Sequence, residues 1–372
     1  MPAFLRTTLT ELEIREPKHG LPLVADDNSL AFQLGIRNKT LWFLVRGAGV
    51  QAGNSGSAYR LGSIPKRGRA GQMGERRTLH IPDWRLKNVQ KALCAAFVQP
   101  IPVGPQVRAY EPGSSVLGTA ETMSGGGLLL SMDLKNFFGS IRMSWVKHYF
   151  RTVGYNHEIA SLLARLCCCK DGPVNFMPQG TCVSPALANR IAEARIDGSV
   201  LKLCAESGWE YVRYSDNVYF THPDVLDIET TNAFKEKVKD AITRGGWRVH
   251  KIKVTPKWRQ QKVLGLVVNE KPNLARDQYY ALRALIHNCY TEGFSSQVAV
   301  AQERINPKIK CAEDLISHIR GKLSYVGQVL LPARRERLEE EFDAALEVER
   351  LRIRANQEEE DEQDKKDVNS TT

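Results

Sequence analysis

The sequence predicts an α+β fold, and three features carry that prediction. "YVRYSDNVYF", residues 211–220, sets runs of aromatic and β-branched residues on either side of the polar triplet Ser215-Asp216-Asn217. Tyr, Val and Phe favour strands while Asp and Asn favour turns, so the stretch reads as a strand, a tight turn and a second strand. "GGGLLLSMDLKNFFGSI", residues 125–141, starts at a glycine turn and runs into a short apolar strand, expected to be buried on both faces and to end at Asp133. Between and after these stretches, apolar residues recur at helical spacing, so helices are expected beside the strands.

In chain order, residues 28–47 predict one or two short helices, with Leu30, Phe32, Leu34 and Ile36, then Leu41, Phe43, Leu44 and Val45, on the apolar side. Residues 48–58 are dominated by Gly, Asn and Ser and read as loop. "YRLGSIPKRGRAGQMGERRTLHIP" has strand–loop–strand character. In "DWRLKNVQKALCAAF" (83–97), Asp83 suits a helix N-cap, and Leu86, Val89, Leu93 and Phe97 mark one helix face. "SWVKHYFRTVG" and "HEIASLLARLCCCK" read as helices. The consecutive Cys167, Cys168 and Cys169 lack a zinc spacing and read as small apolar residues of the second of these helices. A loop at "PQGTCVS" leads into a long helix from about Pro185, and residues 227–246 form an amphipathic helix ending at Gly245 and Gly246. "KVLGLVVNEKP" (262–272) reads as strand and turn, and residues 277–350 as mostly helical, with Pro332 near the start of the last helix.

A chain of 372 residues can hold two or three domains and a large core. Its formal net charge is +10, yet the last sixteen residues, "QEEEDEQDKKDVNSTT", carry −5, which leaves +15 on the rest. Nine bases lie between Arg60 and Lys91, opposed only by Glu75 and Asp83, and they sit among glycines rather than in i,i+4 register with acids. Such a body suits a polyanionic partner better than a merely solvated face. No apolar run has the length needed to cross a membrane, "MPAFLRTTLTELEIREP" lacks the apolar region of a secretory signal, and the eight cysteines suit a reducing compartment. A cytoplasmic protein without a membrane partner is expected.

If the strand ending at Asp133 neighbours the 211–220 hairpin, Asp133 and Asp216 converge. Two carboxylates can hold a pair of divalent cations about 3.5–4 Å apart. Mg²⁺ prefers oxygen ligands and shares them with substrate phosphates, and surrounding bases would hold a nucleic-acid backbone. Taken alone, each Asp reads equally well as a turn residue.

"SMDLKNFFGSI", "MPQGTCVSPALANRIA" and "YVRYSDNVYF" follow one another in the order and spacing of reverse transcriptase palm motifs A, B and C, which they resemble. "IPKR" with "RRTLHIPDWRLKNVQ" resembles the upstream fingers motifs, and "AYEPGSSVLGTAETM" the segment before motif A. "KVLGLVVNEKPNL" resembles the primer grip, and "HIRGKLSYVGQV" the thumb. The likeness covers about residues 28–335 and is nearest to bacterial retron-type and defence-associated enzymes. It implies a right-hand polymerase fold: an N-terminal extension (1–27), fingers (28–125, with 142–178 interleaved), an antiparallel-sheet palm (126–270), a helical thumb (271–350) and an acidic disordered tail (351–372). It implies an RNA-directed DNA polymerase that uses dNTPs and Mg²⁺, with Mn²⁺ as an alternative. A structured non-coding RNA would be its template and primer and an RNA–DNA hybrid its product, in a retron or anti-phage system where an effector protein is a further candidate partner.

The resemblance also assigns roles. Asp133 and Asp216 match the metal-binding acids, and the backbone carbonyl of Leu134 completes one metal site. Phe138 matches the steric gate against a ribose 2′-OH, whereas Phe137 is expected in the core. Gln179 lies beside the incoming nucleotide, and Gly180 lets the backbone come close. Lys66 and Arg77 match the bases that grip the triphosphate. Lys251 best matches a general acid for pyrophosphate, with Lys253 the near alternative. Asn217 departs from the second acid usual in motif C: it keeps size and an acceptor but loses a charge, so weaker metal binding is expected. Thr119-Ala120-Glu121-Thr122-Met123 and Val263-Leu264-Gly265 depart from two retron hallmarks, so a divergent retron and another defence-associated enzyme both fit. A catalytically weak RNA-binding scaffold on this fold, which Asn217 would favour, and an RNA-dependent RNA polymerase, which Phe138 argues against, are the rival readings.

Overall fold

Both aspartate-bearing stretches enter one four-stranded sheet. The computed structural model describes residues 17–47, 58–65, 74–171 and 174–370. Within them, β1 (Tyr59–Pro65) and β2 (Arg76–Pro82) form an antiparallel hairpin. β3 (Leu128–Leu134) is the apolar strand, and β4 (Cys169–Asp171) with β5 (Val174–Phe176) is a short hairpin. β6 (Glu210–Tyr214) and β7 (Asn217–His222) are the two arms of the Ser215–Asp216 turn. β8 (Val249–Pro256) closes the main sheet, whose order is β6-β7-β3-β8, antiparallel throughout. β9 (Lys262–Val263) and β10 (Leu266–Val267) form a last small hairpin.

The strand period of two divides β3. Leu128, Leu130, Met132 and Leu134 point into the main core, while Ser131 and Asp133, on the other face, are only partly covered. The expectation of a strand buried on both faces therefore fails at its far end. The sheet has helices on one face and opens on the other near Asp133. β8 carries no strand signal in the sequence because it is an edge strand: Lys251 and Lys253 alternate with Ile252 and Val254, and all four are exposed.

The helices form where caps and periodicity predict. Asp26 and Ser29 exchange capping hydrogen bonds at the start of Asp27–Gln33, and a second short helix covers Asn38–Arg46. Asp83 accepts from the Leu86 N–H at 2.7 Å and starts Trp84–Leu93, and Asn156 and Asp227 do the same for His157–Cys167 and Ile228–Gly245. Gly246 ends the last of these in a left-handed conformation (φ 101°), against Trp145, where a Cβ would clash. The three consecutive cysteines are buried as expected, but only Cys167 is helical; Cys168 is extended and Cys169 opens β4. The helix from Pro185 is interrupted. Ser184–Ala192 and Gly198–Ser207 are joined by a π-helical turn at Glu193–Asp197, whose extra residue turns Asp197 inward to a fully buried ion pair with Arg213 of β6.

The described chain divides into two units. One comprises the residues up to Ser115 with Gly127–Pro256, and it holds the main sheet and a core that includes Phe137, Phe150, Phe220 and Trp247. The other comprises Val116–Gly126 with the residues from Lys257 on. Its core is made by helices Arg276–Glu292, Phe294–Arg304, Ala312–Val326 and Pro332–Ser370. In the last of these, Leu338, Phe342 and Ala345 recur at helical spacing. That helix runs on to Ser370, through the segment whose acidity suggested disorder; residues 351–370 contain neither Pro nor Gly and are rich in Glu, so backbone propensity carries the helix onward. Residues 262–272 are likewise not one strand. Leu264 (φ 50°) and Gly265 (φ 94°) turn the chain between β9 and β10. No helix among the described residues is long and apolar enough to cross a membrane.

Candidate active site

Tyr214 pairs with Asn217, which leaves Ser215 and Asp216 as a two-residue hairpin turn. Ser215 takes a φ of 60°, as primed hairpin turns require at their first position, although it is not glycine. On the next strand Asp133 lies directly opposite Asn217, and the Leu134 N–H donates to the Asp216 carbonyl at 2.8 Å. Two carboxylates from distant parts of the sequence thus meet at the open end of the sheet. Both line a cleft of about 860 Å³ with Arg76, Arg77, Gln179, His250 and Lys251. Burial pushes the Asp216 carboxyl above the ordinary range; the charge of Asp133 adds to the rise, and Arg77 and the Asn217 amide oppose it.

This donor set fits a hard divalent cation. Among the described residues no group of three or more His, Cys, Asp and Glu side chains is arranged to hold a metal ion, so the pair offers two carboxylates and no further ligand of these types. Two adjacent carboxylates suit an ion that takes few protein oxygens and fills its remaining positions with water and phosphate. Leu134 also lines the cleft, and the β3–β8 register shifts between Asp133 and Leu134.

Residues 64–268 match the family model described as "Reverse transcriptase (RNA-dependent DNA polymerase)". The chain belongs to the reverse transcriptase family. Among curated relatives, the retron Mx65 reverse transcriptase of Myxococcus xanthus is 30% identical over 292 residues, 74% of this chain and 62% of that protein. The retron Ec86 reverse transcriptase of Escherichia coli is 27% identical over 310 residues, 82% and 85% of the two chains. The retron Mx162 reverse transcriptase of M. xanthus is 28% identical over 307 residues, 74% and 61%. The chain therefore spans less than two thirds of both Myxococcus relatives and most of the Escherichia one. Of the two types left open by the sequence, these relatives support the retron type.

Reverse transcriptases generally use divalent metal ions. Of the remaining residues singled out in the sequence, some line the cleft of the carboxylate pair and others do not. Arg77 on β2 reaches the cleft and acts electrostatically on Asp216. Lys66 lies outside the described residues. Lys251 faces Asp133 across the β3–β8 ladder and lines the cleft; Lys253, two residues on, does not. Gln179 lines the cleft too, and its carbonyl accepts from the His80 N–H at 2.8 Å. Gly180 next to it has φ 107°, and a Cβ there would sit 3.2 Å from the His80 carbonyl oxygen, so the close backbone approach is to β2. Phe137 is buried and stacks on Trp247 at 5.8 Å between centroids. Phe138 is only partly buried, beside Phe137 and Tyr110, and does not line the cleft that holds the carboxylates.

Asn217 has a contact that the sequence did not reveal. Its amide Nδ2 donates to Asp216 Oδ1 at 3.0 Å. It is therefore more than a lost charge: it is a neutral donor that steadies a carboxylate already disfavoured by burial. Asn217→Asp replaces this donor with a third negative group. Without divalent cations the variant is expected to melt lower than wild type, and added Mg²⁺ should raise its melting temperature more than it raises that of wild type. Equal metal-dependent shifts in a thermal melt would remove the coupling between residue 217 and the cation site.

Sequence reasoning also missed Arg213. This side chain is completely buried. It donates to both Asp197 oxygens, to the Asn189 carbonyl and to Asn189 Oδ1, between 2.8 and 3.2 Å. It ties β6 to the helix that follows the Gln179–Gly180 loop. A charged residue inside the otherwise apolar run "YVRY" was the available signal.

Proposed function

We propose that the protein is an RNA-directed DNA polymerase of a retron, copying a bound structured non-coding RNA into DNA. The observation that carries this reading is the meeting of Asp133 and Asp216 in a cleft flanked by Arg76, Arg77 and Lys251, in a chain of the reverse transcriptase family. A primer 3′-OH loses its proton to water and attacks the α-phosphate of a dNTP in line; the new phosphodiester bond forms as the bond to the β-phosphate breaks and pyrophosphate leaves. Bound Mg²⁺, or Mn²⁺ in its place, would supply activation of the hydroxyl and neutralisation of the phosphates. Arg77, with Lys66, holds the triphosphate. Lys251 gives a proton to the departing pyrophosphate, Gln179 and Gly180 border the nucleotide, and Phe138, which packs at 5.3 Å on the cleft-lining Phe137 and does not itself line the cleft, is the residue matched to excluding a 2′-OH. The net +15 of the chain outside its last sixteen residues provides the attraction for RNA. In this reading β1 and β2 belong to the fingers, the β6-β7-β3-β8 sheet is the palm, and the helices from Arg276 form the thumb.

Primer extension on an RNA template, with dNTPs and then rNTPs, tests the reading. DNA synthesis dependent on a divalent cation is expected, and a well-folded protein that incorporates no nucleotide would instead be an RNA-binding scaffold. Phe138→Ala should raise ribonucleotide use relative to deoxynucleotide use by at least about tenfold, equivalent to about 1.4 kcal/mol in relative kcat/KM. An unchanged ratio would make Phe138 a packing residue only.

A further inference from the structure

Tyr110 adopts a left-handed backbone (φ 62°), which a residue with a large side chain rarely takes unless its surroundings impose it. Here both neighbours are pinned. The Ala109 carbonyl accepts from Asn189 Nδ2 at 2.6 Å, and Glu111 pairs with buried Arg190 at 2.9 Å. One residue earlier, the Arg108 N–H donates to the Arg213 carbonyl at 2.9 Å. The network around Arg213 and Asn189 thus holds the Tyr110 backbone from either side.

What this strain achieves is visible at the side chain. The Tyr110 hydroxyl donates to Ser215 Oγ at 3.2 Å, across 105 residues of sequence. Ser215 is itself left-handed and immediately precedes Asp216. The Tyr110 ring lies 6.4 Å from the Phe138 ring between centroids, at 50°. Tyr110 remains 52% exposed, so the ring is held here by its backbone and its hydroxyl more than by burial.

We propose that Tyr110 is a positioning residue of the polymerase site: its hydroxyl braces the Ser215–Asp216 turn and its ring backs Phe138, so that one side chain couples turnover to sugar selection. The ring half of this inference rests on the reading of Phe138 as the sugar gate. The hydroxyl half does not.

Single-nucleotide incorporation on an RNA template separates the two. Tyr110→Phe removes only the hydroxyl; kcat for a dNTP should fall about fivefold with KM within about twofold and with the ratio of dNTP to rNTP use unchanged. Because hydroxyl and Oγ form one contact, Tyr110→Phe combined with Ser215→Ala should be no slower than the slower of the two single variants. Tyr110→Ala should in addition lower dNTP selectivity by about tenfold. Wild-type kcat in Tyr110→Phe, or strictly additive losses in the double variant, overturns the brace. Unchanged selectivity in Tyr110→Ala overturns the backing of Phe138. Phe138→Ala is run alongside: if it leaves selectivity unchanged, the gate reading itself is wrong, and the ring half of the proposal falls with it while the kcat result still decides the hydroxyl half. Should Tyr110→Ala fail to fold, selectivity is read in Tyr110→Leu, which keeps apolar bulk without an aromatic face; wild-type selectivity there overturns the ring half, and a loss supports it.

Discussion

Asp133→Asn is expected to abolish DNA synthesis, lowering the rate by about a thousandfold or more, while RNA affinity stays within about twofold. The substitution keeps the shape of the side chain at the end of β3 and removes the charge of one of the two paired aspartates that line the cleft. Unit charges 4 Å apart interact by about 4 kcal/mol at an effective dielectric near 20. That is about three powers of ten in rate at 1.36 kcal/mol each, before the double charge of a cation is counted. RNA affinity should survive because bases outside the cleft, such as the exposed Arg60, Arg85 and Lys87, would hold a phosphate backbone independently of this carboxylate. Primer extension and a gel-shift titration on the same preparation check both halves. Near-wild-type synthesis would remove the carboxylate pair from the mechanism.

The second large effect concerns stability. Arg213→Leu is expected to destabilise the protein by about 3–5 kcal/mol, the range for removing one partner of a buried ion pair. Asp197 would be left fully buried without its cationic partner, and the Tyr211 hydroxyl, which donates to Asp197 Oδ1 at 2.7 Å, is a single neutral donor. Arg213→Lys should recover only part of the loss, because a single ammonium cannot span Asp197 and both Asn189 oxygens as the planar guanidinium does. Removing both charges with Asp197→Leu in the Arg213→Leu background should restore stability partly. Denaturant midpoints of the four proteins check the order. An Arg213→Leu protein as stable as wild type would show that Asp197 finds another partner.

These two residues mark what the sequence makes legible. Asp133 could be found because Leu128, Leu129 and Leu130 announce a strand and an acid at the end of such a run is unusual. Asp216 could be found because aromatic and β-branched arms flank a turn. Their meeting needed only neighbouring strands, and the β3–β7 ladder provides them. Arg213 could not be given a role because its partners lie 16 and 24 residues away, around a π-helical turn that no local pattern encodes. β8 was invisible for the opposite reason: an edge strand facing solvent has no apolar stripe to show. The donor role of Asn217 and the strain at Tyr110 and Ser215 depend on side-chain orientation and backbone angles, which residue type alone does not fix.

The interleaving of the two units has a consequence for synthesis of the chain. Residues 116–126 belong with the part that begins at Lys257: the Gly125 N–H donates to the Val268 carbonyl, and Gln261 donates to the Gly126 carbonyl. About 130 residues therefore have to be translated after this segment before its partners exist, on the order of ten seconds at roughly 5–20 residues per second. During that interval the nascent polypeptide can complete the main sheet through Pro256, while helix Val116–Thr122 waits as an unpaired outlier. A chain ending at Pro256 would hold every strand of the main sheet while residues 116–126 still lacked their partners. The second unit cannot be obtained whole by cutting the chain once, because its first helix is already behind the cut.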